Sequence, residues 1–467
     1  MPPESPAHAP GGGVQIYTPA LAAEQTARPP KFTDDALALA FTARHRDRLR
    51  YVAAWGQWLM WGKGRWSVEG TLQVFDMARV ICREASVECE QASTAKKLAD
   101  ARTIAAVERL ARADRHHAAT VDQWDTDPWL LNTPSGVLDL KTGGLREHRR
   151  DDYLTKITAV APGGDCPIWR EFLDRVTDGD SDLQQYLQRM AGYALTGLTI
   201  EHAFFFLYGT GANGKSVFVN AISKVLGDHA TTAPIETFIK SNVDRHPTDL
   251  AGLRGARLVI ATETEEGRRW AESKIKALTG GDTVSARFMR QDFFEFTPTF
   301  KLIVAGNHRP GLRSVDEAIR RRMNLIPFTV TIPPEERDET LSEKLKDEWP
   351  GILEWMISGC LDWQERGLDP PDAVRKATDE YLEAEDALSA WMAECCLARD
   401  THYATSGELF KSWKDWAEKA GEFVGSQKRL SQNLQARGFE SKRQAGTGRM
   451  GFTGISVVDD VDGVWGR

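Results

Sequence analysis

Gly209-Thr210-Gly211-Ala212-Asn213-Gly214-Lys215-Ser216 is the stretch on which the reading of this chain turns. It satisfies GxxxxGK[ST], and its setting matters as much as its spelling. An apolar run, residues 203–208, leads in, and residues 217–226 follow with helical spacing, so the predicted context is strand, loop, helix. Glycines let backbone N–H groups curl around phosphate oxygens without Cβ clashes, and a helix N-terminus adds partial positive charge. Gly209, Thr210, Gly211, Ala212, Asn213, Gly214, Lys215, Ser216 and Val217 are therefore the candidate phosphate cradle. Lys215 is expected to reach the β- and γ-phosphates, and Ser216 to supply a ligand to magnesium. ATP and Mg2+ are the expected cofactors, although such a loop reads phosphates and leaves the base open.

A phosphate loop of this kind also needs an acid at the end of a neighbouring strand. Leu258-Val259-Ile260-Ala261-Thr262 is a short apolar run followed directly by Glu263, with Glu265 and Glu266 close behind. Glu263 is the first candidate for holding the metal and polarising water. Glu265 is the alternative, because two residues on in an extended chain points the same way. A solvated acidic loop is the plain reading of the same residues. A third run, Leu302-Ile303-Val304-Ala305, ends in Gly306-Asn307-His308, where the Asn307 amide could bond a γ-phosphate or orient the water. By itself Asn307 would be a turn residue. Next come Arg320-Arg321-Arg322, ordinarily a solvated or nucleic-acid-facing patch. In a motor, one of them completes the neighbouring subunit's site, since a guanidinium stabilises charge building on the transferred phosphoryl.

The remainder of the chain bounds the answer. Its 467 residues suggest about three domains, and no apolar run approaches the roughly 20 residues needed to cross a bilayer. A Pro/Ala/Gly-rich start, residues 1–31, reads as a disordered tail and not a signal peptide. Six cysteines without a CxxC pair or zinc spacing speak for a reduced, cytoplasmic protein and against cysteine-bound metal. Residues 32–200 read as a mainly helical domain with a small β element near 125–165. Trp55, Trp58 and Trp61, three apart, are expected on one helical face, as a core stripe or as a base-stacking platform. Asp125-Thr126-Asp127 reads as a turn. Residues 201–335 alternate buried strands with helices, and 336–400 read as a helical bundle.

The last section, 401–467, reads as two helices, Ser406–Ala420 and Ser426–Arg437, and a hairpin turned at residues 444–448. That order suggests a winged helix. The formal net charge of −8 argues against a nucleic-acid binder, but binding needs only a local basic face. Lys428, Arg429, Arg437, Lys442, Arg443 and Arg449 supply one, and the plain alternative is a small packing domain with a solvated hairpin.

Taken together, the segments GTGANGKS (209–216), LVIATETEEG (258–267), LTGGDTVSARFMRQDFFEFTP (278–298), KLIVAGNHRP (301–310) and SVDEAIRRRMNLIPF (314–328) resemble superfamily 3 helicase cores. The relatives in question are phage and plasmid primase–helicases and their poxvirus-type kin. DPWLLNTPSGVLDL (127–140) resembles the segment that precedes such cores. The resemblance implies an α/β fold: an AAA+-like P-loop NTPase core with an N-terminal mainly helical domain and a C-terminal winged-helix domain. It also implies a homo-hexameric ring moving 3′ to 5′ on single-stranded and forked DNA in a bacterial host cytoplasm. By motif, Lys215 and Ser216 fall on Walker A, Glu263 on Walker B, Asn307 on the sensor, and Arg322, then Arg321, on the arginine finger. Residues 285–296 fall on the pore hairpin, with Arg290 at its tip gripping phosphates. Too little chain precedes the helical region for the primase domain of full-length relatives, so a separate primase or polymerase is an expected partner. The competing expectation is an ATP-switched, DNA-binding initiator that does not unwind processively.

Overall fold

The computed structural model describes residues 28–240, 248–262, 268–289, 292–312, 315–444 and 448–458. Two compact units emerge, one of residues up to Gly62 with Trp66–Trp124, the other of Lys63–Arg65 and Asp125 onward.

The first unit opens with helix α1 (Asp34–His45), started by Thr33, whose hydroxyl accepts the Ala36 N–H at 3.2 Å. Strands β1 (Leu49–Val52), β2 (Gln57–Gly62) and β3 (Arg65–Val68) follow. Then come helices α2 (Gln73–Glu88), α3 (Ala92–Leu98) and α4 (Ala101–Ala113) and the short strand β4 (Ala118–Ala119). The sheet runs β3-β2-β1-β4. This corrects the helical reading of the tryptophans, because Trp58 and Trp61 stand on β2 and Trp55 in the turn before it. Gly56 and the Gly62-Lys63-Gly64 turn break the chain into strands, which a spacing of three does not reveal. Trp58 is buried and donates to Glu108 Oε1 at 2.6 Å, while Trp55 packs on Trp124 and Trp61 on Trp66.

The second unit begins with an antiparallel meander, β5 (Leu130–Thr133), β6 (Gly136–Asp139) and β7 (Gly144–Arg146), and two helices, α5 (Pro167–Thr177) and α6 (Ser181–Tyr193). Before the meander, Asp125 accepts from Thr155 N and Asp127 from Trp129 N, at 2.8 and 2.9 Å, as turn residues do. The central part follows as β8 (Phe204–Tyr208), α7 (Lys215–Leu226), β9 (Ala230–Thr232), α8 (Thr248–Ala251), β10 (Leu258–Thr262) and α9 (Glu272–Gly280). It continues with β11 (Val284–Ala286), β12 (Phe294–Phe296), β13 (Lys301–Gly306), α10 (Glu317–Arg320) and β14 (Met323–Pro327). Five of these strands form one parallel sheet in the order β14-β8-β13-β10-β9.

Both faces of that sheet are covered, which is why its strands read as unbroken apolar runs. Phe205, Leu207, Ile260 and Ile303 point to one core with α5, α6 and α7, and Phe204, Phe206, Val259 and Val304 point to the other. At the amino ends of the strands two buried cations tie the sheet to the segments around it. Arg257 reaches the Leu195 and Leu130 carbonyls at 2.6 Å, and Lys301 reaches the Leu198 carbonyl at 3.1 Å. Burial pulls Arg257 down to about 10 and Lys301 well below its ordinary value.

Helices α11 (Leu341–Asp347), α12 (Trp349–Arg366) and α13 (Asp372–Cys395) follow. A Cβ on Gly192 or Gly359 would collide with the facing backbone, so α6 and α12 cross where only glycine fits. The helical reading of residues up to 400 is corrected at Cys396, where β15 (Cys396–Thr405) begins and pairs antiparallel with the strand at Met450–Val457. A register shift between Ala398 and Tyr403 interrupts the alternation that would have marked a strand. Helices α14 (Ser406–Ala420) and α15 (Gln427–Ala436) and strands β16 (Glu440–Arg443) and β17 (Met450–Val457) complete the module. Among the described residues no helix is long and apolar enough to cross a membrane.

Candidate nucleotide and nucleic-acid site

Parallel order places the carboxyl ends of β8, β13 and β10 side by side on one edge of the sheet. There the chain leaves β8 for α7 and the far strand β9, the kind of switch point at which open α/β sheets take ligands. Residues 209–214 join β8 to α7 at this edge, and Lys215 is the first residue of α7. The loop conformation depends on its glycines. A Cβ on Gly209 would strike Asn213 and the Phe328 carbonyl. Gly214, at φ +81°, lies against Phe172 and Val176 of α5, and Gly211 (φ +108°) and Ala212 (φ +51°) are also left-handed.

Among the described residues, three oxygens lie around the ammonium of Lys215, which is 6% exposed. It donates to the Gly209 carbonyl at 2.8 Å, to Asn213 Oδ1 at 2.9 Å and to Asn307 Oδ1 at 3.0 Å. Asn213 is in turn fixed by donating to the Phe328 carbonyl at 2.9 Å, and Ile332 N–H donates to the Ala212 carbonyl at 2.8 Å. The stretch after β14 thus clasps the loop from outside, a contact that no local pattern announces. Thr210, Ala212 and Ser216 face solvent, and Val217 is half-buried.

Sequence reading missed Arg309. Its guanidinium lies 4.0 Å above the Tyr208 ring, next to the first glycine of the loop. Its position just after Asn307 was the available signal. Thr262 ends β10 beside β13, opposite Ala305. Glu263, Glu265 and Glu266 themselves lie outside the described residues, as do Arg290 and residues 1–27 of the tail. Elsewhere, among the described residues, no cluster of three or more His, Cys, Asp or Glu could hold a metal.

The arginine cluster splits by environment. Arg320 pairs with Asp386 at 3.3 Å and Arg321 is exposed. Arg322, 8% exposed, donates to the Ala318 carbonyl of its own turn at 3.0 Å. Burial, then the neighbouring Arg321, lowers the Arg322 pKa, while Asp282 and Asp316 act the other way.

Strands β11 and β12 pair antiparallel, Val284 opposite Phe296, and make a hairpin rich in exposed rings. Phe288, Met289 and Phe293 are 41%, 70% and 58% exposed. Phe288 stacks on Phe294 at 5.6 Å, Arg254 lies 5.2 Å from Phe294, and Arg287 lies 4.8 Å from Phe293. Asp292 and Glu295, also exposed, offset these cations, so rings and not net charge distinguish the surface.

In the C-terminal module Lys428, Arg429, Lys442, Arg443 and Arg449 are exposed. Arg437, which the sequence groups with them, is instead buried against Glu385 at 3.1 Å.

Comparison with known proteins finds similarity to viral proteins provisionally named helicases and primases. A family described as D5 N terminal like matches residues 38–178, and a family of unknown function, DUF5906, matches residues 207–322. A provisionally named helicase of Acanthamoeba polyphaga mimivirus, L207/L206, is 25% identical over 62% of this chain and 33% of its own. A provisionally named helicase of Invertebrate iridescent virus 3, 121R, is 26% identical over 63% of this chain and 35% of its own. The provisionally named primase C962R of African swine fever virus is 25% identical over 62% and 33%. The chain therefore spans about a third of the length of these relatives. Among solved structures, the apo NrS-1 C terminal region matches 92% of this chain and 100% of its own at 10% identity and a TM-score of 0.49.

Proposed function

We propose that this chain, which belongs to the phage and viral primase–helicase family, is an ATP-dependent DNA helicase of superfamily 3. It is proposed to work as a homo-hexameric ring that moves 3′ to 5′ on single-stranded DNA during phage or mobile-element replication. Residues 201–335 form the AAA+-like P-loop core in this reading, completed by helices in 336–400 and preceded by the helicase-associated residues 32–200. Residues 401–467 form a winged-helix DNA-binding domain.

The observation that carries the proposal is the meeting of Lys215 with Asn213 and Asn307 at the carboxyl ends of β8 and β13. A cation poised at the mouth of a glycine-built loop, and joined to an amide from the next strand, is what transfer of a terminal phosphoryl requires. Gly209 and Gly214 let the loop pack tightly on Asn213, the Phe328 carbonyl and α5, and Gly211 has open space where a Cβ would stand, so the loop keeps a curl that suits the phosphates of a nucleotide. On binding, Lys215 exchanges its carbonyl partners for phosphate oxygens, and the Asn307 amide is freed to position the attacking water. Ser216 and Glu263, or Glu265 in its place, are proposed to hold Mg2+, which would neutralise charge building on the phosphates. Arg321 is exposed, as a side chain that completes a neighbouring subunit's site would have to be, whereas Arg322 would first have to leave the Ala318 carbonyl.

DNA is proposed to meet the β11–β12 hairpin, with Arg290 on phosphates and Phe288 and Phe293 under bases. Lys428, Arg429, Lys442, Arg443 and Arg449 are the proposed contacts of the terminal module, and a separate primase or polymerase is a proposed partner. The test is unwinding of a forked duplex with ATP and magnesium. Wild type should separate strands from a 3′ overhang, and Lys215→Ala should neither unwind nor hydrolyse ATP. Hydrolysis and DNA binding without strand separation would favour the second reading, an ATP-switched replication initiator.

A further inference from the structure

A cleft in the C-terminal module belongs neither to the nucleotide site nor to the basic hairpin. It opens between α13 and the loop joining α14 to α15, with a volume of about 420 Å³. Ala387, Leu388, Trp413 and Leu430, all buried, form its floor. Trp413 Nε1 donates to the Val424 carbonyl at 2.7 Å, which ties the loop to α14 at one wall of the cleft. Phe423 stands at the mouth, 76% exposed, and a second hollow lies along its other side. An aromatic ring left this open between two hollows is a surface lacking a partner.

Charge decides which partner. Glu380, Glu383 and Glu422 border the cleft, against one cation, Arg429, whose guanidinium lies 5.6 Å from the Phe423 ring. A mouth with three carboxylates and one guanidinium repels phosphodiesters and attracts a cation. The floor takes one large apolar side chain. We infer that the cleft docks a segment of a partner protein that presents an aromatic or branched aliphatic side chain between lysines or arginines. The module then has two unlike surfaces that meet at Arg429, which borders the cleft and is also a proposed DNA contact. The hairpin with Lys442, Arg443 and Arg449 suits nucleic acid, as the proposed function holds, and the acid-rimmed cleft suits protein. The second assignment does not depend on the first.

The probe is a short fluorescein-labelled helical peptide with one tryptophan and a lysine one turn to either side, beside a twin with glutamates for lysines. On the full chain, the lysine peptide should raise fluorescence anisotropy and the glutamate twin should not. Ala384→Trp fills the cleft and should abolish binding. Glu380→Gln with Glu383→Gln should weaken it about three- to tenfold at low salt, with the difference shrinking as salt rises. ATP hydrolysis equal to wild type shows that the Ala384→Trp chain is folded. Should that variant misfold, Phe423→Ala, at an exposed position, carries the same expectation. The inference fails if the lysine peptide does not bind wild type, or if binding survives Ala384→Trp. It fails equally if a single-stranded oligonucleotide displaces the peptide, which would assign the face to nucleic acid. A drop in oligomeric mass in Ala384→Trp would instead make the face a contact between copies of this chain.

Discussion

Asn307 contributes a single oxygen to the ammonium of Lys215, yet that bond joins the end of β13 to the loop after β8. If the amide orients the attacking group, its loss should be felt in the transition state more than in nucleotide binding. Asn307→Ala is accordingly expected to lower kcat for ATP hydrolysis by about a hundredfold while leaving KM near the wild-type value. A raised KM at unchanged kcat would reduce Asn307 to a binding contact. His229 offers a separate test of the fold. It is 3% exposed, and neither ring nitrogen meets a hydrogen-bond partner among the described residues. Burial, followed by the nearby Arg257 and Lys156, drives its pKa well below 6.5. The native state therefore stays neutral while the unfolded chain takes up a proton as pH falls below about 6.5. The contribution of His229 is fully present above that pH and is lost progressively below it, at a slope of at most about 1.4 kcal/mol per unit. Melting temperatures from pH 7.5 to 5 should fall less steeply for His229→Phe than for wild type. An identical slope would mean that other groups set the acid limit.

At the scale of elements, the β11–β12 hairpin shows what stacking adds to charge. Its exposed rings carry guanidinia, but Asp292 and Glu295 cancel much of the attraction to a polyanion. Binding there should therefore depend on bases. Wild type is expected to prefer an oligo-dT strand to an abasic strand of equal length, and Phe293→Ala to lose about tenfold on the first while hardly changing on the second. Phe293→Trp should retain the preference. Equal losses on both strands would mean that the hairpin acts through phosphates alone. This element was legible in sequence as a hairpin only through its resemblance to a known segment, and the ring and guanidinium ladder was not, because Arg254 comes from another part of the chain. The same distinction runs through the fold. Strands β8, β10 and β13 announce themselves as apolar runs because both sheet faces are covered. Trp55, Trp58 and Trp61 mislead because spacing by three suits a helix face, while the nearby glycine turns settle for strands. Strand β15 was hidden by its register shift. The loop of residues 209–216 could be read from its own letters. Its clasp by Phe328 and Ile332 could not, since both bonds span more than a hundred residues.

At the scale of the molecule, helix α13 holds the second unit together. Near its start Thr378 accepts from Leu325 N–H of β14, and Tyr381 donates to the Pro310 carbonyl. Further along, Glu385 Oε2 accepts from Leu312 N–H at 3.0 Å and from Arg437 at 3.1 Å, and Arg437 also donates to Ser389 Oγ at 2.9 Å. One buried carboxylate thus joins the chain just beyond Asn307 to the end of α15. Burial raises its pKa while Arg437 acts against the rise. Removing the arginine alone leaves that buried carboxylate only the Leu312 N–H and the charge of Arg269 to offset it, so Arg437→Met should cost about 3 kcal/mol at neutral pH. The sign of the pH dependence follows from the raised pKa. A carboxyl that holds its proton more tightly when folded favours the native state at low pH, and that advantage is lost as pH rises through the folded value. Urea denaturation of Arg437→Met should therefore show the larger deficit at pH 8 and partial recovery at pH 5.5. Adding Glu385→Gln removes the charge but keeps an acceptor for Leu312, and should restore much of the loss and erase its pH dependence. A deficit that is the same at both pH values, or that Glu385→Gln does not relieve, would show that Arg437 acts through packing. In that case the link between the terminal module and the strand ends would be steric and not electrostatic.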